Sequence, residues 1–287
     1  MNEKNRTEKG VLYLVGTPIG NLSDMSERSI KILSEVDFIA AEDTRNSLRL
    51  LTHLGIKKPL VSYFEHNKQE RGDQIVARLK GGESCALVTD AGMPAISDPG
   101  EDLVRLCAEN DVTVTTVPGP CAAITALTLS SLPTRRFSFE GFLSANKSER
   151  RAALEEVKNE KRTMIFYEAP HKLKATLADM CSAFGGDRRI ALCRELTKLN
   201  EQIFRTTIEE AIAYYNENDP RGEFVLVVDG ASSVENNSEF WENMSIPEHV
   251  LFYINKGMSK NDAIKSAAKD RRVHKNDIYK EVLEIKA

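Results

Sequence analysis

No stretch of this chain holds the ~18 consecutive apolar residues that a membrane helix needs. Its first ten residues, MNEKNRTEKG, have no apolar core of the kind a secretory signal carries. Both absences lead to the expectation of a cytoplasmic protein with no membrane partner. Cysteine is sparse: Cys85, Cys107, Cys121, Cys181 and Cys193 are scattered without a CxxC pair. Each falls in a strand or helix pattern, so reduced core thiols are expected rather than disulfides or zinc ligands. The histidines, His53, His66, His171, His249 and His274, show no HxxxH or other ligand spacing, and no metal is expected. A formal net charge of −4 excludes a uniformly basic nucleic-acid binder, although not a local basic patch.

What is present is an ordinary globular composition, 41% apolar and 29% charged over 287 residues, enough for about two domains. After a polar tail at 1–10, apolar runs ended by turn residues read as strands: VLYLVGT (11–17), DFIAAED (37–43), PLVSYF (59–64), CALVTDAG (85–92) and VTVTTVPG (112–119). Helical patterns lie between them. One starts at Asp24, with Glu27 three residues on and Ile32, Leu33 and Val36 as its inner face; others are RGDQIVARLKGG and EDLVRLCAEN. Alternation of this kind implies a parallel sheet covered on both faces. Beyond PGPCAAITALTLSSLP the texture changes to FSFEGFL, TMIFYEA, RIALCREL, EQIFRTT and EFVLVVDG, with helices near 148–160, 171–184 and 208–217. The short gap between RIALCREL and EQIFRTT predicts an antiparallel pair and a mixed sheet. The expected organisation is two α/β domains, 11–122 with a parallel sheet and 123–230 with a mixed one. A linker at 231–245 and a helical tail at 246–287 follow. In the tail, Ser259 and Asn276 stand where N-caps would, and Gly257 where a C-cap would.

Three Gly/Pro-rich segments each follow a strand: GTPIGNLSD (16–24), DAGMPAISDPG (90–100) and PGPCAAITA (118–126). Ligands of open α/β sheets sit outside the carboxyl ends of the strands, where such loops gather. Glycine lets the backbone approach a ligand, and proline holds the loop shape beforehand. The first loop has neither the GxGxxG of a dinucleotide fold nor the GK[ST] of a phosphate-binding loop, and the second has no basic residue. These loops suit a ligand with donors, acceptors and an apolar or cationic middle rather than a polyphosphate.

Taken together, LYLVGTPIGNLSD, AAEDTR, LVTDAGMPAISDPG, VPGPCAAITAL, FYEAPHKL and RELTK resemble one family. It is that of the ribosomal RNA small-subunit ribose-2′-O-methyltransferases, which modify a cytidine in the decoding region of 16S rRNA. That family lies within the tetrapyrrole-methylase-like (class III) methyltransferases. The resemblance spans about Val11 to Gly230 and implies S-adenosylmethionine in a cleft between two α/β domains, a homodimer, and 16S rRNA or the small ribosomal subunit as partner. By position it implies cofactor contacts from Pro18, Gly92, Met93, Pro94, Ile96, Ala122 and Ala123. From the second domain it implies Phe166, Tyr167, Glu168, Leu192, Glu223 and Phe224.

The chemistry this implies is displacement at a sulfonium methyl by a ribose hydroxyl, which asks the protein for alignment and a proton acceptor. Glu42, Asp43 and Arg45 sit at the end of a strand on the edge where the ligand loops gather. A carboxylate pair beside arginine suits a ribose hydroxyl and a phosphate together; Asp43 reads equally as the cap of the following helix. Arg194, with Lys198 in CRELTK, reads as a phosphate clamp facing the cleft. Glu168 and His171 lie where a helix begins at Pro170, and Asp98 reads as a turn residue.

From Lys256 to Lys280 eight basic residues face three acidic ones, against an acidic remainder. Lys260, Lys265, Lys269, Arg271, Arg272 and Lys275 are therefore candidate contacts to RNA phosphates from a helix-turn-helix-like tail. Arg135 and Arg136, with Lys147, Arg150 and Arg151, form a second basic patch. Phe64, Phe137 and Phe142 read as core or as stacking platforms for unpaired bases. Two further functions stay open: a methylase acting on a tetrapyrrole-like small molecule, and a non-catalytic RNA-binding sensor of the cofactor.

Overall fold

A computed structural model describes residues 6–231, 241 and 244–282. The chain divides into two compact units, Met1–Ala231 and Ser232–Ala287.

The first unit contains two five-stranded sheets. In the first, β1 (Val11–Val15), β2 (Phe38–Ala41), β3 (Leu60–Ser62), β4 (Cys85–Val88) and β5 (Thr113–Val117) lie in the order β3-β2-β4-β1-β5, all parallel. The pleat explains why these strands are apolar on both sides. Val11, Tyr13 and Val15 pack with Ile32 and Leu33 of α1 (Glu27–Glu35) and Leu51 of α2 (Thr44–His53). Leu12, on the opposite face, packs with Ile75 and Leu79 of α3 (Lys68–Lys80) and Leu103 of α4 (Gly100–Glu109). Each fully buried Leu or Ile contributes about 1.5–3 kcal/mol. The N-cap of α1 is Ser26, whose hydroxyl accepts from the Ser29 amide; Asp24, expected as the start of this helix, instead closes a short 3-10 turn, Leu22–Asp24.

The second sheet has the order β6-β7-β10-β8-β9, from β6 (Phe137–Phe142), β7 (Thr163–Glu168), β8 (Arg189–Arg194), β9 (Gln202–Thr207) and β10 (Phe224–Val228). Only β6 and β7 pair in parallel, so the sheet is mixed, and β8–β9 is the expected antiparallel pair. Helix α5 (Ala122–Leu129) covers one face through Ala123, Ala126 and Leu127. The other face is covered by α6 (Lys147–Glu156), α7 (Pro170–Phe184) and α8 (Ile208–Glu217). The helix expected to run to residue 160 stops at Glu156; beyond it Glu160 turns back to bind the Arg162 amide and guanidinium. Arg150 and Arg151 do not form part of a basic surface patch. Arg150 is buried and bonded to Asp179 at 2.7 and 2.9 Å, and Arg151 takes the other oxygen of the same carboxylate.

The second unit comprises α9 (Ile246–Asn255), α10 (Lys260–Asp270) and α11 (Lys275–Glu281), closed around Val250, Ala263, Ile264, Ala267 and Ile278. Ser245 and Ser259 cap the first two helices, and Gly257 (φ 90°) follows the end of α9 in the left-handed conformation glycine tolerates. His274, not Asn276, is the cap of α11, with its Nδ1 accepting from the Asn276 amide. Arg271 is withdrawn from the expected RNA-contacting set: its guanidinium donates to His249 Nδ1 and to the Met244 and Trp241 carbonyls, and it lies over the Trp241 ring. Lys265 pairs with Asp262 one turn earlier in α10.

Candidate active-site cleft

The three Gly/Pro loops come together because each leaves the carboxyl end of a neighbouring strand of the first sheet. The first and second are laced by reciprocal hydrogen bonds: the Thr17 amide donates to the Gly92 carbonyl (2.9 Å) and the Gly92 amide to Thr17 (3.1 Å). The first and third touch at Gly16 and Gly119. A Cβ on either would lie 2.9 Å from the other's Cα, so both must be glycine. In the second loop Asp98 is more than a turn residue. Its carboxylate accepts from the Ala95, Ile96 and Gly100 amides at 3.0, 3.3 and 2.7 Å, holding Ala95 and Ser97 in the left-handed region (φ 67° and 61°). Burial pushes the Asp98 carboxyl above its ordinary pKa, with the three amides acting against it.

Between these loops and the second sheet lies a cavity of about 610 Å³, well within the size range of small-ligand sites. One wall is Ile19, Glu42, residues 89–93 and residues 96–98; the other is Cys121, Ala122, Phe142, residues 167–171, Cys193, Leu196 and residues 223–225. Of the expected contacts, Gly92, Met93, Ile96, Ala122, Tyr167, Glu168, Glu223 and Phe224 line it, as does Glu42. Phe166 and Leu192 do not. Both side chains lie in the core on the far face of the sheet, because successive strand residues alternate sides. The cleft side belongs to their neighbours Tyr167 and Cys193, and to Val225. Pro18, Pro94 and Ala123 are not among the lining residues; the Ala123 amide at the start of α5 donates to the Tyr167 hydroxyl at 3.2 Å. Burial pushes that phenol up to about 12, so it stays protonated. Cys121 lies at the N-cap of α5 rather than inside an element, and it lines the cavity with Cys193.

The electrostatics of the lining are one-sided. Among the described residues it contains five carboxylates (Glu42, Asp90, Asp98, Glu168 and Glu223) and no lysine or arginine. Asp98 is taken up by the loop amides, Glu168 by the Thr176 hydroxyl and the Ala169 amide, and Glu223 by Lys198. Glu42 is held only by the Thr89 hydroxyl at 3.2 Å. Its pKa is raised, first by burial, then by Asp90, Asp98 and Asp43. Asp43 differs. It caps α2 and pairs with Arg45 at 2.8 Å, which holds it down at about 2, a weak proton acceptor. Neither Asp43 nor Arg45 lines the cavity; the Arg45 side chain is 86% exposed beside it in sequence. The expected Arg194–Lys198 clamp is not formed. Arg194 donates to the Arg221 carbonyl and to Gln202, whereas Lys198 is neutralised by Glu195 and Glu223, both at 2.8 Å.

A pocket of this size, acidic and with backbone-lined walls, fits S-adenosylmethionine, whose sulfonium and ammonium are cationic. Thr89, Asp90 and Val225, which line it, were absent from the sequence-based set. The strand-end position of the first two and the alternation Phe224/Val225 were the available signals.

A family model for tetrapyrrole (corrin/porphyrin) methylases matches residues 11–212. Two solved structures share the fold at a TM-score of 0.55 and 17% identity. A uroporphyrin-III-C-methyltransferase from Thermus thermophilus covers 79% of this chain and 98% of its own. The cobalamin biosynthetic enzyme cobalt precorrin-4 methyltransferase covers 76% and 94%. Fold and site thus define a protein of the tetrapyrrole-methylase class. Curated relatives carrying the name ribosomal RNA small subunit methyltransferase I occur in Halalkalibacterium halodurans (50% identity, 96% of each chain) and Bacillus subtilis (47%, covering 97% of this chain and 96% of the relative). Another is found in Escherichia coli O157:H7 (42%, 96% of each). Within that class, the chain belongs to the family of ribosomal RNA small subunit methyltransferase I.

Proposed function

We propose that this protein transfers the methyl group of S-adenosylmethionine to the ribose 2′-oxygen of a cytidine in the decoding region of 16S rRNA. The observation that carries this reading is the carboxylate-lined cleft, in which Glu42 is left largely uncommitted at the edge of the ligand loops. The near-full-length relatives named for ribosomal RNA support the choice of substrate.

The bound donor supplies an electrophilic methyl group already activated by positive charge. The chain's own task is to position it and to receive a proton. Gly92, Met93 and Ala122 offer backbone close to the ligand, and the cavity side chains of Ile19, Ile96 and Phe142 offer apolar surface. Glu42 is the proton acceptor: its raised pKa brings it closer to that of the hydroxyl proton it must receive. Arg45 is positioned to meet the RNA backbone. Its pairing with Asp43 is at the surface, where such pairs contribute little, so exchange of a carboxylate for a phosphate costs little. The second unit, with Lys260, Lys269, Arg272 and Lys275, adds RNA affinity, and the working form is a cytoplasmic homodimer. The α/β portion divides near residue 122 into a loop-bearing domain and a substrate-facing domain.

Incubation of small subunits lacking this modification with methyl-labelled donor tests the reading. Label in one alkali-resistant dinucleotide of 16S rRNA is expected, since a 2′-O-methyl blocks cleavage of the adjacent phosphodiester. Label on a base, or none in the RNA, would refute it.

A further inference from the structure

At the opposite end of β7 from the cleft is a second concavity, of about 470 Å³, formed by Pro133, Arg135, Arg136 and residues 159–163. Its charged groups are Arg135, Arg136, Lys161 and Arg162 against a single carboxylate, Glu160. Glu160 is committed to Arg162, and Glu140 on β6 adds a further attraction on the same guanidinium. No carboxylate of the described residues forms an ion pair with Arg135, Arg136 or Lys161, all of them exposed.

The shape of this pocket is fixed by groups other than these three cations. The Thr163 hydroxyl donates to the Pro133 carbonyl at 2.6 Å, pinning the segment before β6 to the start of β7. The Glu160 carboxylate folds onto the Arg162 amide at 2.8 Å, and the Glu160 carbonyl accepts from the Ala231 amide at 2.5 Å. Three cations are thus held on a built frame without counter-charges, a poor arrangement for a monomer in isolation but a good one for an anionic ligand. β6 is the edge strand that joins pocket and cleft. Phe142 at its end lines the cleft and is 60% exposed, and Phe137 at its start is partly exposed beside Arg136. Five residue steps along β7, from Thr163 to Glu168, put the two sites about 17 Å apart.

We propose that this pocket is a phosphate-binding site for the RNA substrate, gripping its backbone on Arg135, Arg136 and Lys161 while the target nucleotide occupies the cleft. The proposal rests on the rRNA reading above and adds a second anchoring point to it. A strand running along the β6 edge would meet a phosphate clamp at one end, an aromatic ring at each end, and the methyl-transfer site at the other.

The test is the salt dependence of binding to a 16S rRNA transcript, comparing wild type with R135A/R136A/K161A and with the charge-conserving R135K/R136K. Each phosphate contact contributes about 0.7–0.9 to the slope of log affinity against log salt, so three contribute about 2–3. The alanine variant is expected to show a slope shallower by about 2–3. Its loss of affinity between 50 and 200 mM salt should be about 20–40-fold smaller than that of wild type. The lysine variant should keep the wild-type slope, and all three proteins should bind S-adenosylmethionine equally. An unchanged slope in the alanine variant overturns the proposal, as does a slope unchanged alongside altered self-association in sedimentation, which would make the pocket a contact between copies. If wild type itself binds the transcript without a salt slope, it is the rRNA reading that fails.

Discussion

The Asp98 carboxylate offers the sharpest quantitative test of how the cleft is pre-shaped. Replacement by alanine removes the acceptor for the Ala95, Ile96 and Gly100 amides. Ile96 is exposed, so water can replace the lost partner there, whereas Gly100 is buried and its amide is stranded at a cost of about 1–3 kcal/mol. The negative charge at the start of α4 contributes about 0.3–1 kcal/mol more. The left-handed Ala95 and Ser97 each store about 1–2 kcal/mol, which a loosened loop would release. The lost acceptor and lost charge together shift the shaped loop by about 1–4 kcal/mol relative to its relaxed form. At tenfold per 1.4 kcal/mol, donor affinity should fall about 10- to 1000-fold. Asp98→Asn keeps an oxygen for the two closest amides and should lose only about tenfold. Titration calorimetry with S-adenosylmethionine reads both, and hydrogen exchange on residues 90–100 should rise in the same order. Wild-type affinity in Asp98→Ala would refute the idea that the carboxylate shapes the donor loop.

Glu42→Gln should keep donor affinity while lowering kcat by about 10²–10⁴. Because the base must be ionised and its pKa is raised, wild-type turnover should fall as pH drops through a value above the ordinary glutamate range, and the Gln variant should lose that limb. Arg45→Ala should bind the donor normally in calorimetry but lose methyl transfer through weaker RNA docking, whereas Asp43→Asn, which only frees that guanidinium, should retain it; wild-type turnover in Arg45→Ala would remove the guanidinium from the reaction. Asp179→Ala leaves the buried Arg150 without its counter-charge and should lower stability by about 3–5 kcal/mol in denaturant titration. The folded Asp179 pKa is depressed by Arg151 and Arg150 against the effect of burial, so its contribution is present at neutral pH and lost as pH falls through that depressed value. Arg271→Ala should open the second unit to proteolysis while sparing donor affinity, and Arg271→Lys should not restore it, since one ammonium cannot reproduce the guanidinium's bonds to His249, Trp241 and Met244.

Much of this was legible in the chain because apolar runs and Gly/Pro punctuation report directly on buried parallel strands and the loops after them. The ten strands of the described residues lie where the runs fall, and all three loops gather at one edge. Side-chain direction was less accessible. Phe166 and Leu192 differ from the cleft-facing Tyr167 and Cys193 by one step of the pleat, a register decided by which face of the sheet α5 covers and which α6–α8 cover. Charge was misleading wherever partners are distant in sequence: Arg150 meets Asp179, Lys198 meets Glu223, and Arg271 meets His249. Helix starts were misplaced by two residues where a neighbouring polar side chain competed, as with Ser26 over Asp24 and His274 over Asn276.

On this reading the methyl donor sits between the loops of the first sheet and the face of the second that carries Tyr167. A crystal structure of the full chain with S-adenosylhomocysteine tests it directly. The nucleoside and sulfur are expected against Gly92, Met93 and Ala122, with Glu42 open towards the RNA side. A complex in which the ligand lies outside this cleft, or no complex at saturating ligand, would contradict it.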